Sequence, residues 1–207
     1  MIKLHCLAYS RALRVVWLLE ALDAPYELVK YDRTSEFQAP EALKAVHPLG
    51  KSPTIEDGDL ILAESATILR YVQEKHGKGR FVPAPGTTDH WIHESWLDYV
   101  ESSLAMPVMV TLFSRMQGDG APVNPRIERA LETHLGHVEA RVKDRAFLMG
   151  DALTLADMQM SYIIALAEFG DMLGKAPHIR AYWERLQADP GFARATGIAG
   201  QMAPPRR

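Results

Sequence analysis

The chain has 207 residues, with 23 Lys or Arg against 26 Asp or Glu and a formal net charge of −3. That length suits one compact unit or two small packed subdomains. A hydrophobic fraction of 47% beside 24% charged residues excludes a disordered or fibrous chain, and the near-balance of charge gives no electrostatic reason to expect nucleic acid or an anionic membrane as partner.

No apolar run approaches the roughly 18 residues of a membrane span. Met1-Ile2-Lys3 leads straight into alternating residues, and Arg11 and Arg14 interrupt any apolar signal segment. The single cysteine, Cys6, leaves no disulfide framework. A cytoplasmic protein is the expectation.

In chain order, Ile2, Leu4 and Cys6 alternate with Lys3 and His5 as in a half-buried strand. Ser10 then precedes Val15, Val16, Leu18, Leu19 and Leu22 at helical spacing, which predicts a helix from about Arg11 to Leu22. Asp23-Ala24-Pro25 stops it, and Tyr26–Tyr31 reads as a second strand, parallel to the first in a βαβ unit. A short helix is predicted at Pro40–Val46, with Pro40 at its first position. Thr54-Ile55-Glu56 and Leu60-Ile61-Leu62-Ala63 flank Asp57-Gly58-Asp59, a hairpin signal. Glu64-Ser65 opens a helix with Ile68, Leu69 and Val72 on one face.

Gly77–Asp89, rich in glycine and proline and without periodicity, reads as a linker. It divides a first domain, 1–77, from an all-helical domain, 90–207, with 78–89 between them. Trp91–Met116 carries a long helical pattern with a kink expected at Pro107. Asn124-Pro125 starts a helix with Ile127, Leu131, Leu135, Val138 and Val142 on its apolar face. Further helices are predicted at Thr154–Glu168, Pro177–Ala188 and Pro190–Gly197, and the tail from Gly200 to Arg207 is expected to fray.

Several residues offer chemistry beside a plainer reading. Pro53, after Lys51-Ser52, suits a strand entry, while a cis peptide there would turn backbone groups toward a ligand. Ser65 caps a helix or, with Glu64 taking an amine, helps that helix start hold a carboxylate. Ser10 is either an N-cap or a hydroxyl that lowers the pKa of a thiol; Tyr9 offers a phenol one position earlier. Cys6 has no second cysteine nearby and reads as a packed strand residue. Thr154-Leu155-Ala156-Asp157 is a capping-box variant. His90/His93 and His134/His137 stand three apart without a third ligand nearby, so solvated helix faces are expected and no metal.

Pro48-Leu49-Gly50-Lys51-Ser52-Pro53-Thr54, the run Leu62-Ala63-Glu64-Ser65-Ala66-Thr67-Ile68-Leu69-Arg70-Tyr71, Thr154–Asp157 and the opening His5–Arg14 together resemble the cytosolic glutathione transferase superfamily, in particular its bacterial and fungal members with a Ser-Arg start. The resemblance spans essentially the whole chain. It implies an α/β plus all-α protein: a thioredoxin-like β-α-β-α-β-β-α domain followed by an all-helical one. It further implies a cis Pro53 with the Ser52 backbone pairing to the cysteinyl group of glutathione. Glu64 and Ser65 would hold the γ-glutamyl amine and carboxylate, and Lys51 the glycyl carboxylate. The activating residue varies within the family, and here Ser10 is the best placed, with Tyr9 as its alternative.

Conjugation of glutathione, as co-substrate without a resident cofactor, to a small hydrophobic electrophile is the implied activity. Glutathione-dependent peroxidase, isomerase or dehalogenase chemistry, or binding without turnover, are its alternatives on one scaffold. Met106, Met109 and Phe113 are candidates for the electrophile pocket, against plain core packing at the same spacing. A homodimer is the implied assembly.

Overall fold

The computed structural model describes residues 1–117 and 123–204. Two compact units emerge: one joins Met1–Arg80 to the stretch from Ala188 onward, and the other runs from Phe81 to Gln187. Residues 205–207 of the tail expected to fray lie outside the described residues.

The first unit is built on four strands: β1 (Ile2–Leu7), β2 (Tyr26–Tyr31), β3 (Thr54–Asp57) and β4 (Leu60–Leu62), in the order β2-β1-β3-β4. β1 pairs parallel with β2, as a βαβ unit requires, and antiparallel with β3, which forms the hairpin with β4. Ile2, Leu4 and Cys6 are buried, as the alternation predicts. Helix α1 (Leu13–Ala21) buries nearly all its side chains, and α3 (Ser65–Val72) buries Ile68, Leu69 and Val72. The short α2 (Glu41–Val46) has Pro40 at its N-cap rather than inside its first turn. Helix α1 starts two residues later than predicted. Tyr9 takes a left-handed φ of 54° and the Ser10 hydroxyl accepts the Ala12 N–H at 3.2 Å, which keeps residues 9–12 in a turn.

The last helix, α9 (Pro190–Ala199), packs on α1. The sequence places it in the helical domain, but its partners are in the first unit. The Asp189 carboxylate caps α9 through the Gly191 and Phe192 N–H groups and also accepts the Trp17 indole N–H at 2.8 Å. Phe192 meets the fully buried Trp17 edge to face at 5.1 Å. Burying two such aromatics is worth about 1.5–3 kcal/mol each, which outweighs proximity in sequence. The approach is close: a Cβ on Gly191 would lie 3.0 Å from Trp17 Cδ1.

The second unit holds α4 (Thr88–Tyr99), α5 (Ala105–Met116), α6 (Pro125–Val142), α7 (Leu155–Phe169) and α8 (Pro177–Gln187). The long pattern predicted over Trp91–Met116 is interrupted by a π-type turn at Val100–Leu104. Pro107 lacks an N–H and its ring crowds the carbonyl four residues back, so the strain is relieved just upstream of it. Asn124 caps α6 through the Arg126 N–H at 2.9 Å, with Pro125 in the first turn. Leu131, Leu135, Val138 and Val142 are buried as the period predicts. Buried Asp157 accepts hydrogen bonds from the Thr154 N–H and hydroxyl, the Leu148 N–H and the Tyr182 hydroxyl, all within 2.9 Å. Burial raises its carboxyl above the usual range, and these donors oppose that shift.

The paired histidines match the expected solvated helix faces only in part: His137 is exposed, and His90 and His134 are half-buried. His93 is fully buried, His137 stacks on Trp96 at 4.9 Å, and His134 Nδ1 lies 2.8 Å from the Tyr99 hydroxyl. The His134 and His137 rings on α6 pack against Trp96 and Tyr99 on α4, which a spacing of three cannot reveal. Among the described residues no helix is long and apolar enough to cross a membrane.

Candidate functional site

The strand register gathers the sequence-selected residues of the first unit. His5 pairs with Thr54, and Ile55 with Leu62. The turn after β1, the entry to β3 and the exit from β4 therefore share one end of the sheet, carrying Tyr9-Ser10, Lys51-Ser52-Pro53 and Glu64-Ser65. The Ser52–Pro53 peptide is cis and Pro53 is buried. The Ser52 hydroxyl accepts the Leu7 N–H at 3.0 Å, donates to the His5 carbonyl at 2.9 Å and lies 3.2 Å from the Ser10 hydroxyl. With the Ser52 proton given to His5, Ser10 is the donor between the two serines. Ser10 is buried, so a thiolate at this end would compete with Ser52 for its proton. Lys51 is exposed, and its carbonyl accepts the Thr54 hydroxyl at 2.9 Å.

Helix α3 begins unusually. Ser65 is buried and is the first helical residue, not the cap expected as its plainer role. The cap position belongs to exposed Glu64, which makes no side-chain cap hydrogen bond and sits at φ 71°, ψ 112°. A left-handed φ on a residue with a Cβ costs about 1–3 kcal/mol. An exposed acid held in that conformation, beside a helix start open to an anion, presents both halves of a zwitterion's complement.

Tyr9, also left-handed, is half-buried and lines a cavity of about 530 Å³ with Ala8, Ala199, Gly200, Gln201, Ala203 and Pro204. The C-terminal segment expected to fray is thus a wall of this cavity as far as Pro204, and Met202 anchors it by burial. Sequence reasoning also missed Arg33, whose guanidinium donates to the carbonyls of Ala8, Tyr9 and Phe37 at 2.9–3.0 Å. No local pattern marks it, because Ala8 and Tyr9 lie 25 and 24 residues away.

Cys6 is buried and packed into β1, and desolvation pushes its thiol up to about 11. It is no nucleophile at neutral pH. Met106, Met109 and Phe113 are carried by α5 of the second unit, where Met106 and Phe113 remain about half exposed at 51% and 52%.

A mixed four-stranded sheet flanked by helices, with a cis-proline loop facing the turn after β1, defines a thioredoxin-like domain, here on a chain with a separate helical unit. The family model for the glutathione S-transferase N-terminal domain matches residues 1–74, and that for the C-terminal domain matches residues 102–190. Glutathione S-transferase 1 of Saccharomyces cerevisiae is 33% identical over 188 residues, covering 80% of each chain. The crystal structure of a glutathione S-transferase from Actinobacillus pleuropneumoniae superposes with a TM-score of 0.86 at 32% identity, over 96% of this chain and 93% of that one. A sphingomonad glutathione S-transferase, solved in complex with glutathione, shares the fold with a TM-score of 0.76 at 22% identity, over 96% of this chain and 98% of that one. The chain belongs to the glutathione S-transferase family.

Proposed function

We propose that the protein conjugates glutathione to small hydrophobic electrophiles, using the sheet end described above. The observation that carries this reading is the start of α3: an exposed acid in a strained conformation next to an open helix N-terminus, beside the cis-Pro53 loop. Glu64 takes the γ-glutamyl amine, Ser65 and the first turn of α3 take its carboxylate, and Lys51 meets the glycyl carboxylate. The Ser52 backbone pairs with the cysteinyl residue. That extended pose directs the sulfur toward Tyr9 and Ser10.

Ser10 exchanges its neutral bond to Ser52 for a charge-assisted one to the thiolate, the stronger of the two. The thiol proton leaves to solvent. The sulfur attacks the electrophilic carbon, a C–S bond forms, and the leaving group departs with its electron pair. The cavity beside Tyr9 receives the electrophile. Tyr9 is the alternative thiol donor, supported by its place on the cavity wall.

No resident cofactor enters this scheme, and the cytosol is its setting. A homodimer is part of the reading: Trp91 is 67% exposed, and Ile61 on the edge strand β4 is 49% exposed. Apolar surface of this kind favours a partner copy.

Calorimetric titration with glutathione, followed by an aryl-halide conjugation assay, tests the function. Saturable binding with stoichiometric halide release and thioether formation is expected. Turnover of a hydroperoxide in place of the halide would move the reading to the peroxidase alternative, and binding without either would make this a glutathione-binding protein. Sedimentation at micromolar concentration is expected to show twice the 23.1 kDa chain mass.

A further inference from the structure

Two loops meet over one side chain. Arg33 lies two residues beyond β2, and its Nε donates to the Ala8 carbonyl at 2.9 Å, one Nη to the Tyr9 carbonyl at 3.0 Å and the other Nη to the Phe37 carbonyl at 2.9 Å. The guanidinium also lies over the Phe37 ring, 4.5 Å from its centroid, and that ring stacks on Tyr9 at 6.0 Å with planes 15° apart. Tyr9 and Phe37 are both left-handed, with φ of 54° and 61°, and each gives its carbonyl to this one cation. The Phe37 loop is closed on itself as well: Thr34 N–H donates to the Gln38 carbonyl, and the Gln38 N–H to the Thr34 hydroxyl. A stiff loop therefore backs a strained turn, with a planar fork between them.

Strained residues persist only where their surroundings over-determine them. For Tyr9 the over-determination is visible: a carbonyl held from behind and a ring held from the side. A lysine would not replace this fork, since one ammonium cannot meet three carbonyls in a plane.

We propose that Arg33 is a positioning residue for thiol activation, holding the Tyr9-Ser10 turn in the geometry that stabilises the thiolate and fixing Tyr9 as a wall of the adjacent cavity. The inference rests on the reading of this sheet end as the glutathione site. Arg33 acts through the turn and makes no contact with the reacting atoms.

The test follows the thiolate absorbance of bound glutathione against pH in wild type, Arg33→Ala, Arg33→Lys and Phe37→Leu, with kcat and KM for glutathione alongside. In Arg33→Ala the ionisation midpoint is expected to rise by about one unit and kcat to fall about tenfold, while KM for glutathione changes less than about threefold. Arg33→Lys should recover only a minor part of the shift, and millimolar guanidinium should restore part of it in Arg33→Ala. Phe37→Leu keeps the carbonyl bonds and loses the ring stack, so it should fall between Arg33→Ala and wild type. An Arg33→Ala midpoint equal to wild type, or full recovery by lysine, would overturn the positioning role. A wild-type thiol that ionises as in free solution would instead overturn the reading of the site, and the proposal with it. If Arg33→Ala does not fold, Arg33→Lys and Phe37→Leu carry the same comparison.

Discussion

Helices α3 and α7 begin in opposite ways. At α7, Thr154 and Asp157 close the first turn on each other, and the Asp157 carboxylate also ties in Leu148 and Tyr182. Every group there is buried and partnered, and the helix start is finished as a structural object. At α3 the cap position holds an exposed acid that caps nothing and is strained to do so. Elsewhere the structural pattern recurs: Thr87, Asn124 and Asp189 cap α4, α6 and α9 with their own side chains, and Glu139 on α6 accepts the His178 and Ile179 N–H groups at the start of α8. Natural chains satisfy helix starts when they can; α2, behind Pro40, also lacks a side-chain cap, but only α3 among the described residues pairs an uncapped start with a strained, exposed acid at the sheet end that carries the cis-proline, and that is where we propose an external anion binds.

The largest effect should come from breaking the closed start. Asp157→Ala removes the shared acceptor of four buried donors and is expected to cost about 3–5 kcal/mol, the range for dismantling a buried charged network. Urea unfolding should show it as a lower midpoint, with Thr154→Ala costing about 1–2 kcal/mol in the same assay. A loss below 1 kcal/mol for Asp157→Ala would mean that the two helix starts do not differ as argued.

The open start should respond in the reverse sense. Glu64→Gly frees a left-handed position from its Cβ, so the thermal midpoint is expected to hold or rise. Loss of a charge-assisted bond to the glutathione amine, about 1.5–3 kcal/mol, should weaken binding by about 10- to 100-fold. Calorimetry beside a thermal melt separates the two quantities. A destabilised Glu64→Gly that binds glutathione normally would make Glu64 a structural residue.

Within the site, the two hydroxyls are separable. Ser10→Ala is expected to raise the ionisation midpoint of the bound thiol by about one to two units with little change in glutathione affinity. Tyr9→Phe should leave that midpoint in place and alter KM for the electrophile, since its ring lines the cavity. A midpoint that moves only in Tyr9→Phe would make the phenol the donor.

How much of this was legible in the sequence depended on distance along the chain. Periodicity sufficed for α6, whose apolar face is buried as spaced from Leu131 onward while Ile127 stays half-buried, and for the β3–β4 hairpin around its Asp-Gly turn. The Thr154–Asp157 box was readable because both partners sit within one helical turn. The return of α9 to α1 was not, since the Trp17–Asp189 bond spans 172 residues and leaves no local trace. Arg33 was missed for the same reason. The strain at Glu64 was invisible because φ is not encoded by residue type when the residue is not glycine. Its place beside Ser52-Pro53 follows only once strand register is known.

The smallest effect concerns the sheet that supports the open start. Across β1, β2 and β3, buried His5 places Nε2 2.7 Å from Glu56 Oε1 and Nδ1 2.8 Å from the Tyr31 hydroxyl, with Lys3 3.7 Å from the same carboxylate. The hydrogen bond from His5, aided by the charge on Lys3, lowers the Glu56 carboxyl below its ordinary value despite partial desolvation. An acid depressed in the folded state contributes stability that is present above its unfolded pKa, about 4.3, and is lost as pH falls through the lower folded value. Glu56→Gln should therefore be less stable than wild type near neutrality and converge with it in acid, so that its urea midpoint depends less steeply on pH below about 5. A gap between the two that stays constant across the acid range would assign the effect to packing instead of charge. Convergence would mean that the sheet under the site is held by the charge on Glu56, hydrogen-bonded to His5 on the face away from Ile2, Leu4 and Cys6, leaving Glu64 and Ser10 free to be chosen for binding and chemistry rather than for the fold.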